Sequence, residues 1–104
     1  MTVLVEVRGK EACISLPPIS DLPVAADLRQ RLSEQIMRKR RIVIEADRLE
    51  RISTPVIQVL LATGKTLAAQ NQSLKIAGSC DVLRAGFADL GMAAVLESWV
   101  GPPR

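Results

Sequence analysis

Ser53 and Thr54 are adjacent hydroxyls, and they are the side chains of this sequence best placed to receive a covalent charge. They lie in the stretch Asp47-Arg48-Leu49-Glu50-Arg51-Ile52-Ser53-Thr54-Pro55-Val56-Ile57-Gln58, where a β-branched run gives way to an apolar helical pattern. Thr54 followed by Pro55 reads as an N-cap and a first-turn proline. Ser53 would then stand beside unpaired backbone N–H groups and the positive end of a helix dipole, where a phosphate is electrostatically favoured. On residue chemistry alone, starting a helix is all that Ser53, Thr54 and Pro55 need to do.

Other chemistries are narrowed by what the chain lacks. It has no histidine and only two cysteines, Cys13 and Cys80. Imidazole metal sites, Ser-His triads and Cys-His dyads are excluded together, and no metal or other cofactor is expected. A small enzyme using Ser53 or Cys80 as nucleophile would lack an evident base, so no enzymatic activity is expected. Cys80 can open a helix after Ser79, but isolated cysteines of this kind are read as reduced and structural. The segment Thr63-Gly64-Lys65-Thr66 ends like a phosphate-binding loop, yet Val59 stands where that loop requires its first glycine.

The net charge is +3, with bases bunched at Arg38-Lys39-Arg40-Arg41. These fall at the end of a predicted helix, where cations complement the dipole and cover the last carbonyls. Phe87 and Trp99 are the only aromatic residues, so almost nothing is available to stack on bases and nucleic acid is not an expected partner.

At 104 residues and 48% hydrophobic, the chain suits one domain, expected over 1–100, with a frayed tail at 101–104. No window reaches the eighteen or so apolar residues of a membrane span, and the first residues lack the pattern of a secretory signal. A cytoplasmic location is the default expectation. Thr2 to Val7 reads as a strand with apolar residues on both faces, Arg8-Gly9-Lys10 as a turn, and Glu11 to Leu16 as the second strand of a hairpin. After Pro17-Pro18, Asp21 or Ser20 caps a helix whose buried line is Val24, Leu28, Leu32 and Ile36, with Ala25 and Met37 beside it. Arg41 to Ala46 reads as a central strand buried on both faces. A second helix follows over Val56 to Gln70 with Val56, Ile57, Leu60, Leu61 and Leu67 inward. Leu74 to Ala77 makes a strand, and Val82, Leu83, Phe87 and Leu90 mark a third helix. Met92 to Val100 is open between a strand and a short helix, although its spacing fits a helix better. The sum is an α/β fold with one mixed sheet of four to five strands and helices packed against it.

This order of elements resembles the STAS domain, the family of bacterial anti-sigma factor antagonists, over nearly the whole chain. In that family a strand leads to a helix through Asp-Ser-Ser/Thr-Gly and an apolar residue, and the matching run here is Ile52-Ser53-Thr54-Pro55-Val56. Ser53 takes the place of the phosphorylated hydroxyl. Leu74-Lys75-Ile76-Ala77-Gly78, followed by Val82, Leu83, Phe87, Leu90 and Gly91, is similar to the family's next strand, turn and amphipathic helix. Two positions depart from the motif: Ile52 replaces an acid and Pro55 replaces a glycine.

The resemblance implies a STAS-like protein-binding module that switches partners. Its contact surface would comprise Arg48, Arg51, Ser53, Thr54, Pro55 and Gln58, with Ser53 and Thr54 as phosphorylation candidates. The implied partner is an anti-sigma kinase or another histidine-kinase-like protein, whose complex a phosphate would weaken. The alternative is an unphosphorylated accessory protein, serving a chemotaxis or histidine-kinase signalling system or a lipid-transport ABC system through its ATPase. A homodimer is also compatible with the chain.

Overall fold

The computed structural model describes residues 3–78 and 81–100. The expected helix start at Ser79 and Cys80 and the expected tail at 101–104 lie outside the described residues.

Gly9 takes a φ of +61°, the left-handed conformation that a two-residue hairpin loop needs, and so joins β1 (Leu4–Arg8) to β2 (Glu11–Ser15). The two strands pair antiparallel, with Arg8 opposite Glu11. Pro17-Pro18 then stops the ladder. A two-residue strand, β3 (Ile19–Ser20), precedes α1 (Leu22–Met37), which returns the chain to β4 (Arg41–Glu45), parallel to β2. Short β5 (Arg51–Ile52) leads into α2 (Thr54–Ala69), and β6 (Lys75–Ala77) lies parallel to β4. Helices α3 (Asp81–Asp89) and α4 (Ala93–Trp99) follow.

The main sheet has the order β1-β2-β4-β6, and β3 and β5 pair parallel to each other in a separate ladder. Residues 92–100, open in the sequence, form a helix, after which Val100 makes a single parallel bridge to Ile76.

Alternation along the strands divides the sheet into unlike faces. Ala12, Ile14, Ile42, Ile44 and Ile76 are buried in one core shared with residues of all four helices. The opposite face carries Glu6, Arg8, Glu11, Arg41, Glu45 and Lys75 around Cys13 and Val43. Arg41–Ala46 was expected to be buried on both faces. Its strand is central but buried on one face only, because every helix of the core packs on the same side. β1 was likewise expected to be apolar on both faces. It is an edge strand with Leu4 and Val7 exposed, since among the described residues it pairs with β2 alone. Burial pushes the Cys13 thiol above its ordinary value, and the Glu11 carboxylate that accepts its S–H adds to the effect.

The helix ends are closed by backbone geometry. Lys39 (φ +57°) lets the Arg40 N–H reach the Gln35 carbonyl at 3.2 Å and the Lys39 N–H reach Ile36 at 2.9 Å, a Schellman closure of α1. Asn71 (φ +60°) and Gly91 (φ +71°) close α2 and α3 in the same way. The basic cluster therefore has a structural function: Arg40 also donates to the buried Gln35 side chain at 2.9 Å, and the Arg41 N–H bonds the Lys10 carbonyl. Met37, expected on the buried side, is 83% exposed because it lies a helical step beyond the Leu28-Leu32-Ile36 line at the last turn. On α2, Leu61 is half-buried and Thr63 takes an inward place, with its hydroxyl donating to the Val59 carbonyl at 2.8 Å.

Thr63-Gly64-Lys65-Thr66 is plain helix. Gly64 is there for packing: a Cβ would overlap the ring of Trp99, which itself meets Phe87 edge-on at a centroid distance of 5.7 Å. Overpacking typically costs about 1–3 kcal/mol, more than the ~1 kcal/mol that alanine gains over glycine in a helix. Gly64→Ala is thus expected to lower the denaturant midpoint followed by Trp99 fluorescence. An unchanged or raised midpoint would contradict this packing.

Candidate functional site

The β3–β5 ladder builds the site. The Pro18 carbonyl accepts from the N–H groups of Glu50 and Arg51 at 2.8 and 2.9 Å, and the Ser53 N–H donates to the Ser20 carbonyl at 2.9 Å. Ser20 is buried, with its hydroxyl donating to the Pro17 carbonyl at 3.0 Å. The segment before α1 is thereby fastened to the segment before α2. Both helices then begin alike, with a polar N-cap (Asp21, Ser53) and a proline at the second helical position (Pro23, Pro55).

The N-cap of α2 is Ser53 rather than Thr54, one residue earlier than the sequence indicates, because Pro55 occupies the second helical position. Ser53 is extended (φ −94°, ψ 158°), and its carbonyl accepts from both Val56 and Ile57 N–H, at 3.1 and 3.2 Å. Proline contributes no N–H, so the cluster of free amides expected beside Ser53 is largely consumed by Ser53's own carbonyl.

The Ser53 hydroxyl makes no capping bond. Its Oγ is sealed from solvent and has no hydrogen-bond partner among the described residues. On either side of Ser53 in the chain, Ile52 and Ile57 crowd Gly86 of α3, where a Cβ would come within 2.9 Å of Ile57 Cδ1 and 3.1 Å of Ile52 Cγ2. Ile52 therefore serves the packing between β5 and α3.

Around the sealed hydroxyl the surface is polar. Arg51, Thr54 and Gln58 are exposed and Pro55 is half-buried, all brought together by the β5–α2 junction. Arg48 is exposed on the turn closed by the Leu49 N–H to the Ala46 carbonyl at 3.2 Å. Neither Arg48 nor Arg51 makes an ion pair among the described residues. Pro55 and Gln58 also line one end of an open groove between α1 and α2, about 1020 Å³ in volume.

Sequence reasoning missed three contributors. Of the two expected caps of α1, Asp21 takes the N-cap position, and Ser20 is a buried strand residue instead. Asp47 and Gly78 meet at the carboxyl ends of β4 and β6, the edge at which open parallel sheets place their sites. The Asp47 carboxylate fills the space a Gly78 Cβ would need, and Gly78 has a φ of +78°. The visible signal was the acid and the glycine directly following two predicted strands.

No group of His, Cys, Asp or Glu among the described residues is arranged to hold a metal ion. No described helix is long and apolar enough to cross a membrane.

A serine N-cap normally contributes about 0.5–2 kcal/mol over alanine. Here the hydroxyl bonds nothing, and a buried polar group left unpaired costs about 1–3 kcal/mol. Ser53→Ala should therefore keep or raise stability in urea titration, by up to about 1 kcal/mol. A loss of the size usual for a cap would show that the hydroxyl is engaged in solution.

Comparison with known proteins agrees with this fold. The sequence model of the family described as "Mlab, STAS domain" matches residues 3–97. No curated protein matches by sequence. Among solved structures, the Bacillus cell fate determinant SpoIIAA in its phosphorylated form is 18% identical, with 98% of this chain and 91% of that chain covered and a TM-score of 0.77. The anti-sigma factor antagonist SpoIIAA in its unphosphorylated form is 17% identical, covers 98% and 88%, and gives a TM-score of 0.78. The fold is shared with these structures, and by its match to the family model the chain belongs to the STAS domain family.

Proposed function

We propose that this protein is a STAS-domain regulatory module that works by binding a partner protein through the start of α2, as an anti-sigma factor antagonist does. Arg48, Arg51, Ser53, Thr54, Pro55 and Gln58 form the contact surface, and Ser53 is the candidate phosphosite. The carrying observation is the Ser53 hydroxyl, which is sealed, unpartnered and placed at the N-cap of a sixteen-residue helix. A buried hydroxyl without a partner calls for an explanation outside the fold, and a role in partner binding or modification supplies one.

SpoIIAA, solved in phosphorylated and unphosphorylated forms, supports the analogy. On this reading an anti-sigma kinase or another histidine-kinase-like protein reaches Ser53 after rotation about its χ1, and Thr54 is the hydroxyl already exposed. Nearly two negative charges added at a desolvated contact weaken the complex.

A second reading follows from the same geometry. Pro55 and the amides already turned onto the Ser53 carbonyl leave little to hold a phosphate, which favours a constitutive accessory subunit. Its partner would belong to a chemotaxis-type signalling array or be the ATPase of a lipid-transport ABC system.

Affinity capture from native cell extract with wild type, Ser53→Ala and Ser53→Asp, with phosphate analysis of Ser53 and Thr54, separates the two. A partner switch predicts a kinase-like protein held by wild type and Ser53→Ala, lost by Ser53→Asp, and phosphate on the wild type. Equal capture by all three with no phosphate establishes the accessory subunit instead.

A further inference from the structure

The Ser53 surface leaves the other end of the molecule unused, and we infer that this end docks the protein on the surface of an anionic phospholipid bilayer. The patch is separate from the partner surface, and its role stands whether or not Ser53 is ever phosphorylated.

Two turns build the patch. The Arg41 N–H donates to the Lys10 carbonyl at 2.8 Å, which sets the β1–β2 turn beside the turn between α1 and β4. Lys10, Arg38, Lys39 and Arg41 are exposed there, and none of them makes an ion pair among the described residues. Arg40, half-buried on Gln35, adds a fifth cation. The carboxylates nearby are Glu11, which accepts from Cys13, and Glu34, one helical turn before Arg38. Glu6 and Arg8 cancel in an ion pair of their own. The C-terminus of α1 contributes roughly half a negative charge, so the cations outweigh all that opposes them.

Apolar exposure at the same end decides which polyanion fits. Met37 directly precedes Arg38 and is 83% exposed, the largest value among the exposed large hydrophobic side chains. Val7, 43% exposed, lies in β1 just before the Lys10 turn. A bilayer accepts both parts at once: apolar side chains enter the acyl boundary while lysine and arginine stay among the headgroup phosphates. A nucleic acid offers the charge without the apolar layer, and this end has no ring to stack on bases, since Phe87 and Trp99 are buried. A protein partner fits less well, because lysine is depleted at protein interfaces and Lys10 and Lys39 are central to the patch. Orientation follows from the length of α1. It has sixteen residues, so at about 1.5 Å per residue the Ser53 corner stands roughly 24 Å from the patch, and a docked molecule holds its partner surface out toward water.

Vesicle sedimentation with the full chain tests this. Vesicles of phosphatidylcholine with about one-third phosphatidylglycerol are expected to bind the protein at least ~10-fold more tightly than phosphatidylcholine alone, with affinity falling as salt is raised. Lys39→Glu should weaken that binding ~5-fold or more and Met37→Ser ~3-fold or more, each with an unchanged thermal melt. Arg29→Glu changes the net charge equally but lies roughly 13 Å along α1 from Arg38, and it should leave binding as it is. Equal binding to both vesicles, binding to neither, or full retention by Met37→Ser would overturn the proposal. So would an equal loss with Arg29→Glu and Lys39→Glu, displacement by inorganic phosphate at matched ionic strength, or tighter binding of duplex DNA or RNA than of anionic vesicles, the last by making the partner a nucleic acid.

Discussion

The hydrogen bonds between β3 and β5 are the constraint on which the functional end of this molecule depends. Two residues on each side form the ladder, and it is extended by the Pro18 carbonyl and by the Ser53 N–H on Ser20. Without it, the segments leading into α1 and α2 would be independent loops of the main sheet. With it, the two helices start side by side, and Ser53 and the groove hold fixed places. The ladder is formed by backbone groups that would otherwise be unpaired, and each net bond contributes about 0.5–1.5 kcal/mol. Of the ladder's side chains, Ser20 and Ile52 turn inward and Ile19 and Arg51 stay exposed.

Around that clamp, the core and the surface divide the work. Gly64 admits the Trp99 ring and Gly86 admits Ile57 and Ile52, so α2 is wedged between α4 and α3 through positions where a methyl group would not fit. Ile52 belongs to this packing although it sits in the motif that resembles a phosphosite. A position of that motif is here occupied by a partly buried side chain packed against the core. The hydroxyl of Ser53, its neighbour in the chain, is buried without a hydrogen-bond partner among the described residues.

Much of the fold was legible because apolar periodicity is strong in α1, α2 and α3, and because Gly9 and Pro17-Pro18 mark their turns clearly. The short strands β3 and β5 were not. Two residues carry no periodicity, and Ser20 and Arg51 look like cap and loop residues until the chain is folded. The one-residue shift of the α2 N-cap has a similar origin, since proline is acceptable at the first or the second helical position. The outward face of β4 was misjudged because the β-branched run Ile42-Val43-Ile44 obscures the alternation of Arg41 and Glu45 with Ile42 and Ile44, which marks one buried face only. Of the site, the hydroxyls and arginines were visible by type, whereas the sealing of Ser53 Oγ and the meeting of Asp47 with Gly78 arise only from tertiary contact.

The side-by-side starts of α1 and α2 carry a consequence for electrostatics. Each helix N-terminus is equivalent to roughly half a positive charge, and the clamp brings two of them to one end of the molecule. The sum is cut back on the spot: Pro23 and Pro55 contribute no N–H, the Val56 and Ile57 amides turn onto the Ser53 carbonyl, and the Asp21 side chain stands at the N-cap of α1. What is left to an approaching anion belongs to the backbone, with no proton to lose and no side chain to swing away.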